Sequence, residues 1–203
     1  MTTKDTAPTT TETPSADDPR VAFTKVADAV GALIEATPAG TITNPTPCPD
    51  FTVKELLEHL VLVVRRVEAI GRGDHWSTID TVATASGWAD DYRSAALDIP
   101  DSWSDPAILE TVLEVPWGEF PGALVMHTYT AELAVHGWDL SQGTGISFSI
   151  EDDLLHGALI AAKFIPADDR GHPDMPFSAV VDPGTDAPVL AQLAGWLGRD
   201  VLG

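Results

Sequence analysis

TPCPDFTVKELLEHLVLVVRRVEAIGRG, residues 46–73, carries the best-marked helix start in the chain. Thr52 is a good N-cap, and Glu55 three residues later completes a capping box that satisfies two otherwise orphaned backbone N–H groups. Phe51 before the cap and Leu56 after it are placed for a hydrophobic staple. Leu56, Leu57, Leu60, Val63, Val64, Val67 and Ile70 recur at helical spacing as one wide apolar face, and Gly71 or Gly73 closes the helix. Within the apolar run LLEHLVLVV sits His59, which needs a reason to be there.

The same signals recur on both sides. Residues 1–18 are Thr, Pro, Ser and Asp without periodicity and read as a disordered tail, leaving 19–203 as one domain. A first helix is expected from Pro19 to Thr37 on Val21, Val26, Ala29, Val30, Leu33 and Ile34, stopped by Pro38 and Gly40. A third is expected over Thr81–Leu97, capped by Asp80. Pro100, Pro106 and Pro116 mark a long irregular connection, in which LETVLEVPWGEF fits a short hairpin or a single helical turn. A fourth helix is expected over 121–142 and a fifth over 150–164; a short strand fits 177–181 and a last helix 188–197. Four long amphipathic segments without a convincing set of strands predict an all-α fold, a helix bundle with extra short C-terminal helices.

Composition narrows the partners. With 31 acidic against 11 basic residues, the net charge of −20 repels phosphate backbones and anionic membrane surfaces, so neither nucleic acid nor a membrane is an expected partner. No stretch approaches the roughly 18–20 apolar residues needed to span a bilayer. The polar N-terminus has no apolar h-region, so the expected location is cytoplasmic. Cys48 is the only cysteine, which rules out an intramolecular disulfide and a Cys-rich zinc site; packing is its expected role.

Within the expected helices, three histidines follow an acidic residue by four positions: Glu55–His59, Glu132–His136 and Asp152–His156. Four residues advance about 400°, so each pair shares a helix face, and a surface ion pair or a helix-dipole effect is the default reading of any such pair taken alone. His136 stands out because Tyr129, Glu132, His136 and Asp139 lie on one narrow stripe of an otherwise apolar helix. If that stripe faces the interior, its charges need a partner or a metal. His127 points to the opposite side and is not an expected ligand. Two ligands on one helix need a third from a neighbour, and His59 is the natural candidate, with a hydrogen-bonded core histidine as its other reading. His59, Glu132 and His136 supply two imidazoles and a carboxylate, a donor set that suits zinc with one open position, and also nickel or ferrous iron.

TPCPDFTVKELLEHLV resembles the Pro-Cys-x-x-Trp/Phe-x-Val-x-x-Leu-x-x-His segment of the mycothiol-dependent maleylpyruvate isomerase family, within the DinB-like superfamily. AELAVHGWDLSQGTG resembles its Glu-x-x-x-His-x-Trp-Asp-Leu segment, and AQLAGWLGRD resembles the ending of a short metal-binding branch. The resemblance implies a DinB-like up-and-down four-helix bundle with a metal on His59, Glu132 and His136. It also implies that Asp139 orients a ligand from behind. The isomerases of the family carry a further C-terminal α/β domain, for which this chain is too short, so maleylpyruvate isomerisation itself is not the expected reaction.

Three functions remain open at this point. The resemblance points to a transferase or isomerase that uses mycothiol as co-substrate, with a small-molecule thiol or an electrophile as partner and Tyr129 as candidate proton donor or hydrogen-bond partner. A metal-dependent hydrolase is the second. The third is a non-catalytic module closed by a fourth ligand, for which His156 is the residue to watch. Bundles of this type can pair through an exposed helix face, which leaves a homodimer open.

Overall fold

The computed structural model describes residues 18–79, 87–165, 167 and 178–202. The tail expected over 1–18 lies outside them except for Asp18, which caps the first helix, α1 (Pro19–Ala36). The Asp18 carboxylate accepts from the Arg20 backbone at 2.9 Å, and Pro19, whose missing N–H costs nothing there, occupies the first turn. The second helix, α2 (Val53–Gly71), starts with the expected capping box: Glu55 Oε2 accepts from Thr52 N at 2.8 Å while Thr52 Oγ1 accepts from Glu55 N.

The third helix, α3 (Trp88–Ser102), departs from expectation at its end. It follows Gly87, whose φ is 99°, and the start expected at Thr81 with Asp80 as cap falls outside the described residues. It also runs five residues past Leu97, through Pro100. Proline in the last turn forfeits one helical hydrogen bond, and tertiary contacts outweigh that loss. Trp103, only 1% exposed, donates Nε1–H to Val67 O at 2.8 Å, while Arg20 donates to Trp103 O at 2.9 Å.

The connection then forms a 3-10 turn over Pro106–Leu109 and an antiparallel hairpin, β1 (Val112–Val115) with β2 (Gly118–Pro121), in the register Val115↔Gly118. Next come the long α4 (Gly122–Thr144), ended by Gly145 at φ 74°, then α5 (Asp152–Ala162) and α6 (Val189–Trp196). The strand expected at 177–181 does not form among its described residues: Val181 N donates to Gly195 O at the end of α6, and no strand lies beside it.

The fold is an all-α bundle. α1 packs on α3 and α4, and α2 packs on the same two, so α1 lies diagonally across from α2. The ends of α2 and α3 meet at Trp103, whereas the start of α2 meets the end of α4, where Val53 approaches Gly143. The directions are therefore up, down, down, up, which refines the expected up-and-down arrangement. α5 and α6 cover the outer side of α4.

This makes α4 the central helix. It has neighbours on every side and carries apolar or small residues nearly all round, as a surrounded helix must. Gly137 and Gly143 let it approach closely: a Cβ at Gly137 would stand 2.6 Å from the Phe148 ring. Leu56, Leu60, Val64, Val125, Leu133 and Leu140 are fully buried between the helices, each contributing about 1.5–3 kcal/mol of transfer free energy. No helix among the described residues is long and apolar enough to cross a membrane.

Candidate metal centre

The antiparallel packing of α2 on α4 sets His59 opposite the Glu132–His136 turn. His59 Nε2 stands 2.9 Å from Glu132 Oε1, and His136 Nε2 stands 3.5 Å from the same oxygen. The two imidazoles meet edge to face, with centroids 4.7 Å apart. One donor atom from each of the three residues lies within 4.8 Å of the others. A tetrahedral zinc with bonds of about 2.0–2.2 Å sets its donors roughly 3.3–3.6 Å apart, so the 3.5 Å pair already fits and the 2.9 Å pair needs only a small separation. The side chains of His59 and Glu132 are 22% and 34% exposed, which leaves one side of the trio open to solvent.

Behind His136 the arrangement is closed. Its Nδ1 stands 3.0 Å from Asp139 Oδ2, and Asp139 is fully buried. Arg199, just past α6, donates Nε–H to Asp139 Oδ1 at 3.2 Å and Nη2–H to Oδ2 at 2.8 Å. Its Nη1 donates to Leu197 O at 2.9 Å, which sets the guanidinium plane. An Nδ1–H held by Asp139 leaves the Nε2 lone pair of His136 aimed at the trio, the usual way a carboxylate fixes the tautomer of a ligating histidine. In front, the Phe51 ring stacks on His59 at 5.0 Å, which limits its rotation.

The electrostatics match this wiring. Burial works to raise the Glu132 carboxyl, but hydrogen bonds from His136 and His59 outweigh it and hold the group well below the carboxylate range. Burial works against a charged His136, yet Asp139 and Glu132 lift it to about 9. Asp139 is held low by His136 and Arg199 against the pull of its own burial. Two carboxylates thus concentrate negative potential on His136 and favour a cation beside it.

A second group, Cys48 with His136 and Asp139, also falls within 4.8 Å. Its lone pairs are committed elsewhere: His136 Nδ1 and both Asp139 oxygens are engaged, and burial pushes the Cys48 thiol up. The His59 trio is the better cation site.

The other sequence candidates separate from the trio. His156 lies exposed on α5 and belongs to neither group, so it supplies no fourth ligand. His127 packs against Gly157 of α5, away from the site as expected. Tyr129 is 2% exposed, and burial pushes its hydroxyl up, so it stays protonated, with no hydrogen-bond partner among the described residues. Sequence reasoning missed two contributors. Phe51, a staple candidate by its sequence position, also stacks on His59, and Arg199 binds the Leu197 carbonyl and, as its main partner, Asp139. Sixty residues separate Asp139 from Arg199, and no local signal joins them.

Residues 23–141 match the mycothiol maleylpyruvate isomerase N-terminal domain, a span that contains all three proposed ligands and Asp139 but not Arg199. Two uncharacterized proteins from two strains of Mycobacterium tuberculosis, Rv0738 and MT0763, are each 31% identical over 186 residues, covering 91% of this chain and 99% of their own. No solved structure matches. With a match over more than half its length, the chain belongs to the mycothiol maleylpyruvate isomerase N-terminal domain family.

Proposed function

We propose that this protein holds one divalent cation, zinc first and nickel second, on His59, Glu132 and His136, and uses it with mycothiol or a related small-molecule thiol in an S-transfer or an isomerisation. The observation that carries the reading is the convergence of two imidazole nitrogens and one carboxylate on a single side that faces solvent. Family membership supports the choice of thiol. A cation there would supply the Lewis acidity that keeps a bound thiol deprotonated near neutral pH.

The chain's own residues do the positioning. Asp139 and Arg199 hold His136 in one tautomer, Phe51 holds the plane of His59, and the partial exposure of Glu132 leaves an approach for a ligand. Among the described residues no fourth side chain closes the trio, so a coordination position stays available for an outside ligand.

The test is metal content followed by thiol titration of the cobalt-substituted protein. A sulfur-to-metal charge-transfer band with mycothiol, stronger than with a simple thiol, is the expected result. A spectrum indifferent to every thiol would sink the thiol reading, and Glu132→Ala with full metal occupancy would sink the ligand assignment.

A further inference from the structure

From the trio, α2 and α4 both lead toward the same end of the bundle, because they are antiparallel. Arg66 lies seven residues after His59, roughly 10 Å along α2, and Tyr129 lies three residues before Glu132, roughly 4.5 Å along α4. Both displacements point the same way, so Tyr129 and then Arg66 follow the trio toward one end of the α2–α4 packing.

Arg66 is unusual in this chain. Arg20, Arg65, Arg72, Arg93 and Arg199 each pair with a carboxylate. Arg66 alone among the described arginines has none, in a protein with 31 acidic residues. It is nevertheless held in place: its Nε donates to Ile79 O at 3.1 Å, and its guanidinium lies over the Trp76 ring at 5.2 Å. That leaves its two terminal nitrogens as a rigid, unused fork, the geometry that matches a carboxylate.

Tyr129 makes the second, independent observation. Its side chain is almost fully buried, and its hydroxyl has no hydrogen-bond partner. A buried donor without an acceptor is costly to keep. The charges of Glu132 and Arg66 both act on this hydroxyl, with opposite sign. Trp76 Nε1 is likewise buried and unpartnered, and Trp117 of the hairpin meets the Tyr129 ring at 5.1 Å. Two buried donors here, Tyr129 OH and Trp76 Nε1, thus have no acceptor.

We propose that Arg66 and Tyr129 form a carboxylate-binding subsite beside the metal trio, so that the electrophile handled there carries a carboxylate several bonds from its reacting atom. This rests on the metal-and-thiol reading above. It also answers a difficulty of the chain's charge: a net −20 repels an anionic substrate overall, and a fixed cation on the approach offsets that locally.

The test uses the full-length, cobalt-loaded protein with benzoate as probe and benzamide as its neutral isostere, followed by tryptophan fluorescence and by the cobalt spectrum. Benzoate is expected to bind saturably, at least tenfold tighter than benzamide, with little change in the cobalt spectrum. Arg66→Met is expected to weaken benzoate about tenfold or more and Tyr129→Phe about threefold to tenfold, as loss of charged hydrogen bonds predicts. Arg66→Lys, which keeps the charge and loses the fork, falls between, and Tyr129→Phe keeps the buried ring should the Arg66 variants fail to fold. Equal affinity for benzoate and benzamide overturns the subsite. So does unchanged benzoate affinity in the variants together with a perturbed cobalt spectrum, which would put the carboxylate on the metal. The mycothiol band is read separately on the same protein, so failure of the subsite is distinguishable from failure of the thiol reading.

Discussion

Asp139 and Arg199 form a two-point ion pair across 60 residues of chain, with Oδ1 taking Nε–H at 3.2 Å and Oδ2 taking Nη2–H at 2.8 Å. Because Oδ2 also meets His136 Nδ1 at 3.0 Å, the segment after α6 sets the orientation of a residue in the trio. Arg199→Ala should therefore lower zinc affinity by roughly 10–100-fold, the usual effect of removing a group that holds a ligating histidine. Competition with a chelator measures this, and circular dichroism checks that the bundle persists. Wild-type zinc affinity in a folded Arg199→Ala protein would show that the pair serves packing alone.

The same wiring predicts a pH dependence. His136 is lifted from 6.5 to about 9 in the folded chain. A raised histidine value stabilises the metal-free fold fully below the unfolded value of about 6.5, and that contribution disappears as pH rises through the folded value. Zinc behaves oppositely, since it must displace the His136 proton. Its apparent affinity should climb about tenfold per pH unit between roughly 7 and 9 and then level off. Chelator competition across that range is the measurement; an affinity that stays flat from pH 7 to 9 would mean that the cation does not use His136.

Cys48 lies beside His136 and Asp139, but the facing atoms of those two are already engaged and burial pushes its own thiol up. Cys48→Ser should keep one zinc per chain, while His59→Ala should lose it. Metal analysis after gel filtration decides the matter. Loss of zinc in the cysteine variant with retention in the histidine variant would move the cation to the other side of His136.

Gly71 ends α2 where Trp103 seals the bundle. A Cβ there would stand 2.4 Å from the Trp103 ring and 2.7 Å from Ser102 Oγ. Trp103 cannot yield easily, being buried and hydrogen-bonded to Val67. Gly71→Ala should destabilise the fold by about 1–3 kcal/mol through overpacking, read as a lower urea midpoint at unchanged slope. A midpoint equal to wild type would show that the Trp103 end of the bundle is looser than its packing suggests.

Much of the helical content was legible locally. The Thr52–Glu55 capping box, Pro38 after α1 and Gly145 after α4 act within a turn of themselves, so their effect follows from nearest neighbours alone. Where expectation failed, a distant contact had overridden a local preference. α3 continues through Pro100 because Trp103 is gripped by Val67 and Arg20, residues of two other helices. The segment 178–181 stays irregular because Val181 spends its N–H on the end of α6.

The site divides along the same line. The linear order of residues by itself determined that Glu132, His136 and Asp139 share one stripe of a helix, because helical periodicity is a local property. It also placed His59 where nothing apolar explained it. Tertiary packing alone decided that these residues face one another with Phe51 in front and Arg199 behind, and left Arg66 as the one arginine among the described residues without an acid. Which helix lies beside which depends on the summed burial of whole faces, and no spacing along the chain encodes that sum.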